Sequence, residues 1–270
     1  MIFYSANAIK VGSTNVDSIY YGSNLAYATD QTSKLVYELN DTSDGYIVKD
    51  VLIPIVGDLS IPSTYNSLPV VEIGDECFSG NDLLTSATIG GNVVTIGQKA
   101  FEDCVGLTSI SIPDSVTQIK TRAYDGCHNA TSFSIGNNVT TIFGYAFAAC
   151  FKIASINIPD SVTSIGTRAF ENCQVANPIT IGSGLTNIVS NLFSTCKGIT
   201  EITIPSGITS ISYQVFNFCT SLTTINCLAT TAPSIQVSSF NGPPATTINV
   251  PIGASGYGTT YGGLTVNYSL

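Results

Sequence analysis

The chain has 270 residues, with 9 Lys+Arg against 18 Asp+Glu and a formal net charge of −9. That balance excludes a basic face for nucleic acid, which needs clustered cations to release counterions from phosphate. Only 10% of residues are charged, so Ser, Thr, Asn and Gly must cover most of the surface, and no apolar run reaches the length of a membrane-spanning helix.

Residues 1–30 stand apart from the pattern that governs the rest. Apolar residues alternate with polar ones between Gly-Ser turns, which predicts a small β-hairpin module. A unit this small holds little core, so Ile19, Tyr20, Tyr21, Leu25 and Tyr27 are expected to anchor the chain on a partner, with an ordinary strand cap as the rival. Met1-Ile-Phe-Tyr-Ser lacks a basic leader and Lys10 interrupts the nearby apolar run, so no secretory signal is expected. Residues 31–69 read as an N-terminal cap: a polar link, then strands at Lys34–Leu39 and Tyr46–Val48 joined by an acidic turn. Asp41, Asp44, Asp50 and Asp58 lack the spacing of a calcium loop and read as a solvated edge.

Residues 70–227 repeat with a period of 23, giving about seven coils. Cys104, Cys127, Cys150, Cys173, Cys196 and Cys219 share one phase. Phe101, Tyr124, Phe147, Phe170, Phe193 and Phe216 share another. A unit of 23 residues cannot bury its own apolar set, whereas stacked units bury it as one column. In Leu107-Thr-Ser-Ile-Ser-Ile112 the alternation predicts a short strand, and Pro113 ends it. Ala123, Tyr124 and Cys127, at offsets 0, 1 and 4, predict a short helical or 3-10 turn on the far side. The fold class is therefore a β-rich solenoid, strands on one face and helical turns on the other, capped at both ends by residues 31–69 and 228–270. Pro113-Asp-Ser-Val-Thr117 returns as Pro159-Asp-Ser-Val-Thr163, and Thr121-Arg-Ala123 as Thr167-Arg-Ala169, so two coils were duplicated together.

The pattern Leu107-x-x-Ile110-x-Ile112-Pro113-x-x-Val116-x-x-Ile119-x-x-x-Ala123-Tyr124-x-x-Cys127 resembles the 23-residue leucine-rich repeats of the BspA type. The resemblance implies a right-handed superhelix and, since members are mostly surface proteins of bacteria and protists with several linked to adhesion, a binding role. Val11-Gly-Ser-x-x-Val16-x-x-Ile19-Tyr20-x-Gly22-Ser-x-Leu25 resembles a short β module of tailed-phage virion proteins.

No catalytic constellation is present. The one histidine, His128, sits in a turn beside a cysteine that should point inward, which leaves no activated Cys-His pair. Asp114 and Asp160 lie two coils apart, roughly 10 Å on the strand spacing, and read as turn formers rather than a glycosidase pair. All eight cysteines occupy small or apolar positions, with no C-x-x-C or Cys/His pair for zinc, so buried free thiols are expected and no metal or cofactor. What remains is a surface. Thr88, Ser111, Ser134, Asn157, Thr180, Thr203 and Asn226 alternate with buried strand positions and should form a flat hydroxyl and amide ladder for a host-surface protein or glycan. The expected function is a non-enzymatic, virion-associated adhesion protein held to other virion proteins by residues 1–30. The alternatives are a cell-surface adhesin and a purely structural decoration protein. Residues 202–270 carry no charged side chain, which suits a homo-oligomer interface or a contact tip.

Overall fold

The computed structural model describes residues 34–52, 54–236 and 238–270; the anchor residues Ile19, Tyr20, Tyr21, Leu25 and Tyr27 lie outside them. Alternation sets the strands. In Glu201–Ile204 the burial runs exposed, buried, exposed, buried, so Ile202 and Ile204 enter the core while Glu201 and Thr203 face solvent. The chain winds as a β-solenoid of about nine coils.

Two columns of strands run along it. The first joins Leu68–Ile73, Thr95–Ile96, Gln118–Ile119, Thr141–Ile142 and Ser164–Ile165 in parallel. The hairpin of Leu35–Leu39 and Tyr46–Val51 closes its first end, and Asn187–Ile188, Ser210–Ile211 and Ser234–Ile235 continue the column as a separate sheet. The second column pairs Gly57–Ser60 with Leu84–Thr88, Ser109–Ser111 with Ser132–Ser134, and Ile156–Asn157 with Ile179–Thr180. It ends in a larger sheet of Glu201–Ile204, Thr224–Cys227, Thr247–Val250 and Leu264–Tyr268. Thr260–Tyr261 folds back antiparallel over that last strand and covers part of its open edge. The second column is thus laced in two-coil units before residue 201, the same 46-residue period that the sequence duplication shows.

The core is a set of vertical stacks. Phe78, Phe101, Tyr124, Phe147, Phe170, Phe193, Phe216 and Phe240 follow one another with nearly parallel rings, at centroid separations from 4.9 to 6.1 Å. These separations lie in the favourable range for offset rings. All eight cysteines are free and buried. Each repeat thiol sits beneath the aromatic of the preceding coil: Cys104 Sγ donates to the Phe78 carbonyl at 3.0 Å, and Cys127 to that of Phe101 at 3.2 Å. Cys150, Cys173, Cys196 and Cys219 repeat the contact on Tyr124, Phe147, Phe170 and Phe193. A thiol suits this slot because it fills space as a small hydrophobe and still supplies a weak donor. The first coil has Asn81 there, buried, with an amide that in its satisfied orientation donates to the Ile55 carbonyl and accepts from the Ile55 N–H. An amide replaces the thiol where the neighbour is an irregular cap with two backbone groups to satisfy.

The expected helical or 3-10 face is not formed; among the described residues the far side of the solenoid has no helix. The hydrogen bonds give the reason. Ala100, Glu102 and Cys104 N–H groups bond back within their own coil, to Gly97, Lys99 and Phe101. Lys99, Phe101 and Asp103 instead donate forward to Thr121, Ala123 and Asp125 on the next coil. Every second N–H is therefore spent between coils, which a helix cannot allow. Left-handed residues at both ends of the segment make the alternation possible: Lys99 at φ 55° and Asp103 at φ 55°, and likewise Arg168 with Asn172 and Asn191 with Thr195.

Candidate binding face

The structure brings the predicted ladder together on the second strand column. Thr88, Ser111, Ser134, Asn157, Thr180 and Thr203 are exposed, and Asn226 is half-buried. Ser111 registers with Ser134, Asn157 with Thr180, and Thr203 with Asn226. Ser134 Oγ lies 3.3 Å from Ser111 Oγ. The ladder runs further than the 23-residue period indicates. Asn226 pairs in register with Asn249 and Asn249 with Asn267. Asn249 Nδ2 donates to Asn226 Oδ1 at 2.8 Å, Asn267 Nδ2 to Asn249 Oδ1 at 2.9 Å, and Asn226 Nδ2 to Glu201 Oε1 at 2.7 Å. The sequence carries a signal for this: Thr224-Ile-Asn226, Thr247-Ile-Asn249 and Thr265-Val-Asn267 are one tripeptide motif whose spacing shortens in the cap.

Threonines outside the predicted set stitch the edge of this face. Thr108, Thr131 and Thr223 hydroxyls donate to the carbonyls of Thr85, Thr108 and Thr200 one coil back. Asp114 and Asp160 act as turn anchors. Each carboxylate accepts the backbone N–H 23 residues on, from Asn137 and Ser183 respectively, at 2.7 Å. The Ser183 backbone and hydroxyl bonds hold the Asp160 carboxyl below its ordinary range.

One coil boundary differs from the others. Between the coil of Ser164–Ile165 and that of Asn187–Ile188, neither strand column is paired. Elsewhere the second column keeps a bond across its gaps, as from Thr108 N–H to the Thr85 carbonyl and from Ala154 to Thr131. Here the corresponding link is between side chains, Asn177 Nδ2 to Thr200 Oγ1 at 3.3 Å. The turn side stays joined through Phe170 N–H to the Leu192 carbonyl and Asn172 N–H to that of Ser194. The boundary is therefore a seam, laced on one side and open on the other. On the open side lies a groove of about 470 Å3, bordered by Thr180 and Thr203 of the ladder and by Asp160, Asn177 and Glu201. Pro178, whose peptide bond with Asn177 is cis, Pro205 and Leu228 supply its apolar walls.

The turn side carries a cluster that sequence reasoning missed. The Arg122 and Arg168 guanidinium groups lie 5.0 and 5.5 Å from the Tyr145 ring centroid, and Arg168 donates to the Tyr145 hydroxyl at 3.0 Å. Arg122 also contacts Glu102 at 3.3 Å and Asp125 at 3.7 Å. Burial pushes the Asp125 carboxyl up to about 6, Arg122 opposing, with Glu102, Asp103 and Glu171 adding to the rise. The recurring Thr-Arg-Ala tripeptide marks both arginines; that Tyr145 sits between them follows only from the stacking. His128 is half-buried rather than free in its turn, its ring stacked on Phe151 at 4.4 Å. Among the described residues no group of three or more His, Cys, Asp or Glu is placed to hold a metal ion.

Comparison with known proteins places this geometry. A family profile described as the BspA type leucine rich repeat region matches residues 58–177 and 140–259, in six copies. A leucine-rich repeat protein from Bacteroides ovatus ATCC 8483 is similar in structure, with a TM-score of 0.69 and 26% identity over 81% of this chain. The chain spans 58% of that protein's length. A leucine-rich repeat protein of T. pallidum shares the fold at a TM-score of 0.56 and 22% identity, covering 82% of this chain and 84% of that one. No curated protein sequence matches the chain.

Proposed function

The chain belongs to the BspA type leucine-rich repeat family, and from that premise we propose that it is a non-enzymatic binding module whose second strand column is the contact surface. The observation that carries the reading is the polar column itself. From Thr88 through Ser111, Ser134, Asn157, Thr180 and Thr203 it exposes hydroxyls and amides in place of charges. Such a face recognises a partner by hydrogen bonding and shape, without the long-range attraction of charge. A flat ladder of hydroxyls and amides suits a broad surface partner, a host protein or glycan. The sequence of residues 1–30 supports a virion as the location, with those residues anchored to other virion proteins. The resemblance to surface repeat proteins supports a cell envelope equally well.

Two measurements test this. Wild-type protein is expected to bind intact bacterial cells, and the combined variant Ser111→Arg, Ser134→Arg and Asn157→Arg is expected to lose at least tenfold in binding. Equal binding by the variant moves the contact off this face. Antibody against residues 202–270 should label virion particles; label confined to cell surfaces selects the second location.

A further inference from the structure

We infer that the seam groove is a binding site for a neutral di- or oligosaccharide, an inference that rests on the binding role proposed above and names the ligand class for one part of that face. Three observations converge on it. The first is the state of the backbone. In the neighbouring units Ile112 N–H donates to the Ser134 carbonyl at 3.0 Å and Ile158 N–H to the Thr180 carbonyl at 2.9 Å. The bond alternates along the column: it is absent from Ile135 to Asn157 and absent again from Ile181 to Thr203, where the first strand column is unpaired as well and the gap opens into the groove. At this gap Ile179–Thr180 pairs only with Ile156–Asn157, and Glu201–Ile204 only with Thr224–Cys227. A donor and an acceptor thus face each other across a groove. Backbone groups in such a place require partners, and a hydroxyl is the group that accepts from N–H and donates to C=O at once.

The second observation is the side-chain lining. Asp160 and Glu201 contribute carboxylates and Asn177 an amide; Lys and Arg are absent from the lining. One oxygen of each carboxylate is already engaged, by Ser183 and by Asn226. The remaining oxygens accept from hydroxyls, and the uncompensated negative charge disfavours phosphate, sulfate and carboxylate ligands. The third is amphipathic shape. Pro178, Pro205 and Leu228 form apolar walls beside the polar rim, as the C–H face and hydroxyl edge of a pyranose ring require, and a volume of about 470 Å3 suits a few sugar units.

The test follows backbone amide shifts while the full chain is titrated with lactose, maltose, cellobiose and N,N′-diacetylchitobiose, with sialyllactose as the anionic control. Saturating shifts at Ile179, Ile181 and Thr203 are expected with at least one neutral sugar and none with sialyllactose. Thr180→Trp, an exposed substitution that fills the groove, should abolish them. Val94→Trp, an exposed position beside the first strand column and away from this face, should leave them intact. Shifts that persist in Thr180→Trp, shifts spread along the whole column, or no shift with any neutral sugar each overturn the groove site. The cell-binding result for the Ser111, Ser134 and Asn157 variant is separate. If that holds while the titration fails, the groove alone is wrong; if both fail, the binding role falls with it.

Discussion

At the scale of single residues, the fold depends on two demanding positions in every coil. One is the thiol slot. Burial pushes the Cys104 thiol up to about 12 and Cys150 and Cys196 well above their ordinary value, so none of these is a thiolate near neutral pH. Ellman's reagent should therefore titrate no thiol in the native protein and eight in guanidinium; fast reaction of any one under native conditions would contradict its burial. Cys127→Ala removes a buried sulfur and its bond to Phe101 and should cost about 1–2 kcal/mol in denaturant unfolding, and Cys127→Ser, which keeps a donor, less. The other demanding position is the left-handed residue before the thiol. Gly126, Ala149, Asn172, Thr195 and Phe218 occupy it at φ between 53° and 77°. A β-branched residue is strained there, so Thr195→Gly should raise the melting temperature, whereas Gly126→Ala should lose about 1–2 kcal/mol. This position was not legible in the sequence, because the residues that fill it have nothing in common but backbone angle. The thiol and aromatic phases were legible because burial restricts their chemistry.

Between elements, the alternation of in-coil and between-coil hydrogen bonds decides what the chain can form. Offsets of 0, 1 and 4 suit a helical turn locally, and Ala123-Tyr124-x-x-Cys127 gives no sign that Tyr124 N–H will leave its own coil for the Ala146 carbonyl. The tertiary ladder overrides local preference, as it commonly does for short segments. The polar strand column was legible from alternation alone, but the seam was not, since it depends on which strands fail to pair. Hydrogen exchange should show it directly: Ile179 and Ile181 amides should exchange faster than Ile112 and Ile158, and equal protection would mean that the seam closes in solution. On the turn side, Asp125 gives a pH signature. Its folded pKa of about 6 lies above the ordinary 3.8, so folding favours the protonated form. Ionisation then weakens the fold progressively as pH rises from about 4 to 6, and the full cost is present above 6. Asp125→Asn should raise the unfolding midpoint at pH 7.5, with the gain vanishing toward pH 3.5; a gain independent of pH would assign the effect to packing.

Across the whole molecule, the repeat makes stability a sum of neighbouring contacts, and the ends become the vulnerable places. At the C-terminus, Tyr257 and Tyr261 donate to the Ala229 and Pro233 carbonyls and cover the last regular rung. Truncation after Cys227 would expose Ile225 and Cys227, both fully buried here. The shortened chain should scatter light at concentrations where the full chain stays monodisperse. The solenoid class and its span could be read from the period because six coils repeat the same apolar offsets. The cap could not be read in detail, since its spacing departs from 23 as soon as its chemistry changes from lacing coils to sealing an end.

The two-coil lacing has a consequence for the gene. Pro113-Asp-Ser-Val-Thr117 and Pro159-Asp-Ser-Val-Thr163 are identical, and in both the aspartate accepts the backbone N–H 23 residues on. Excising residues 114–159 would join Pro113 to Asp160 and restore the peptide sequence across the junction. Slippage between the two copies during replication would then lengthen or shorten the protein by whole units without a misfolded intermediate length. The molecule is in this sense a ruler with graduations of 46 residues, and its reach can change in one mutational event while both of its ends are kept.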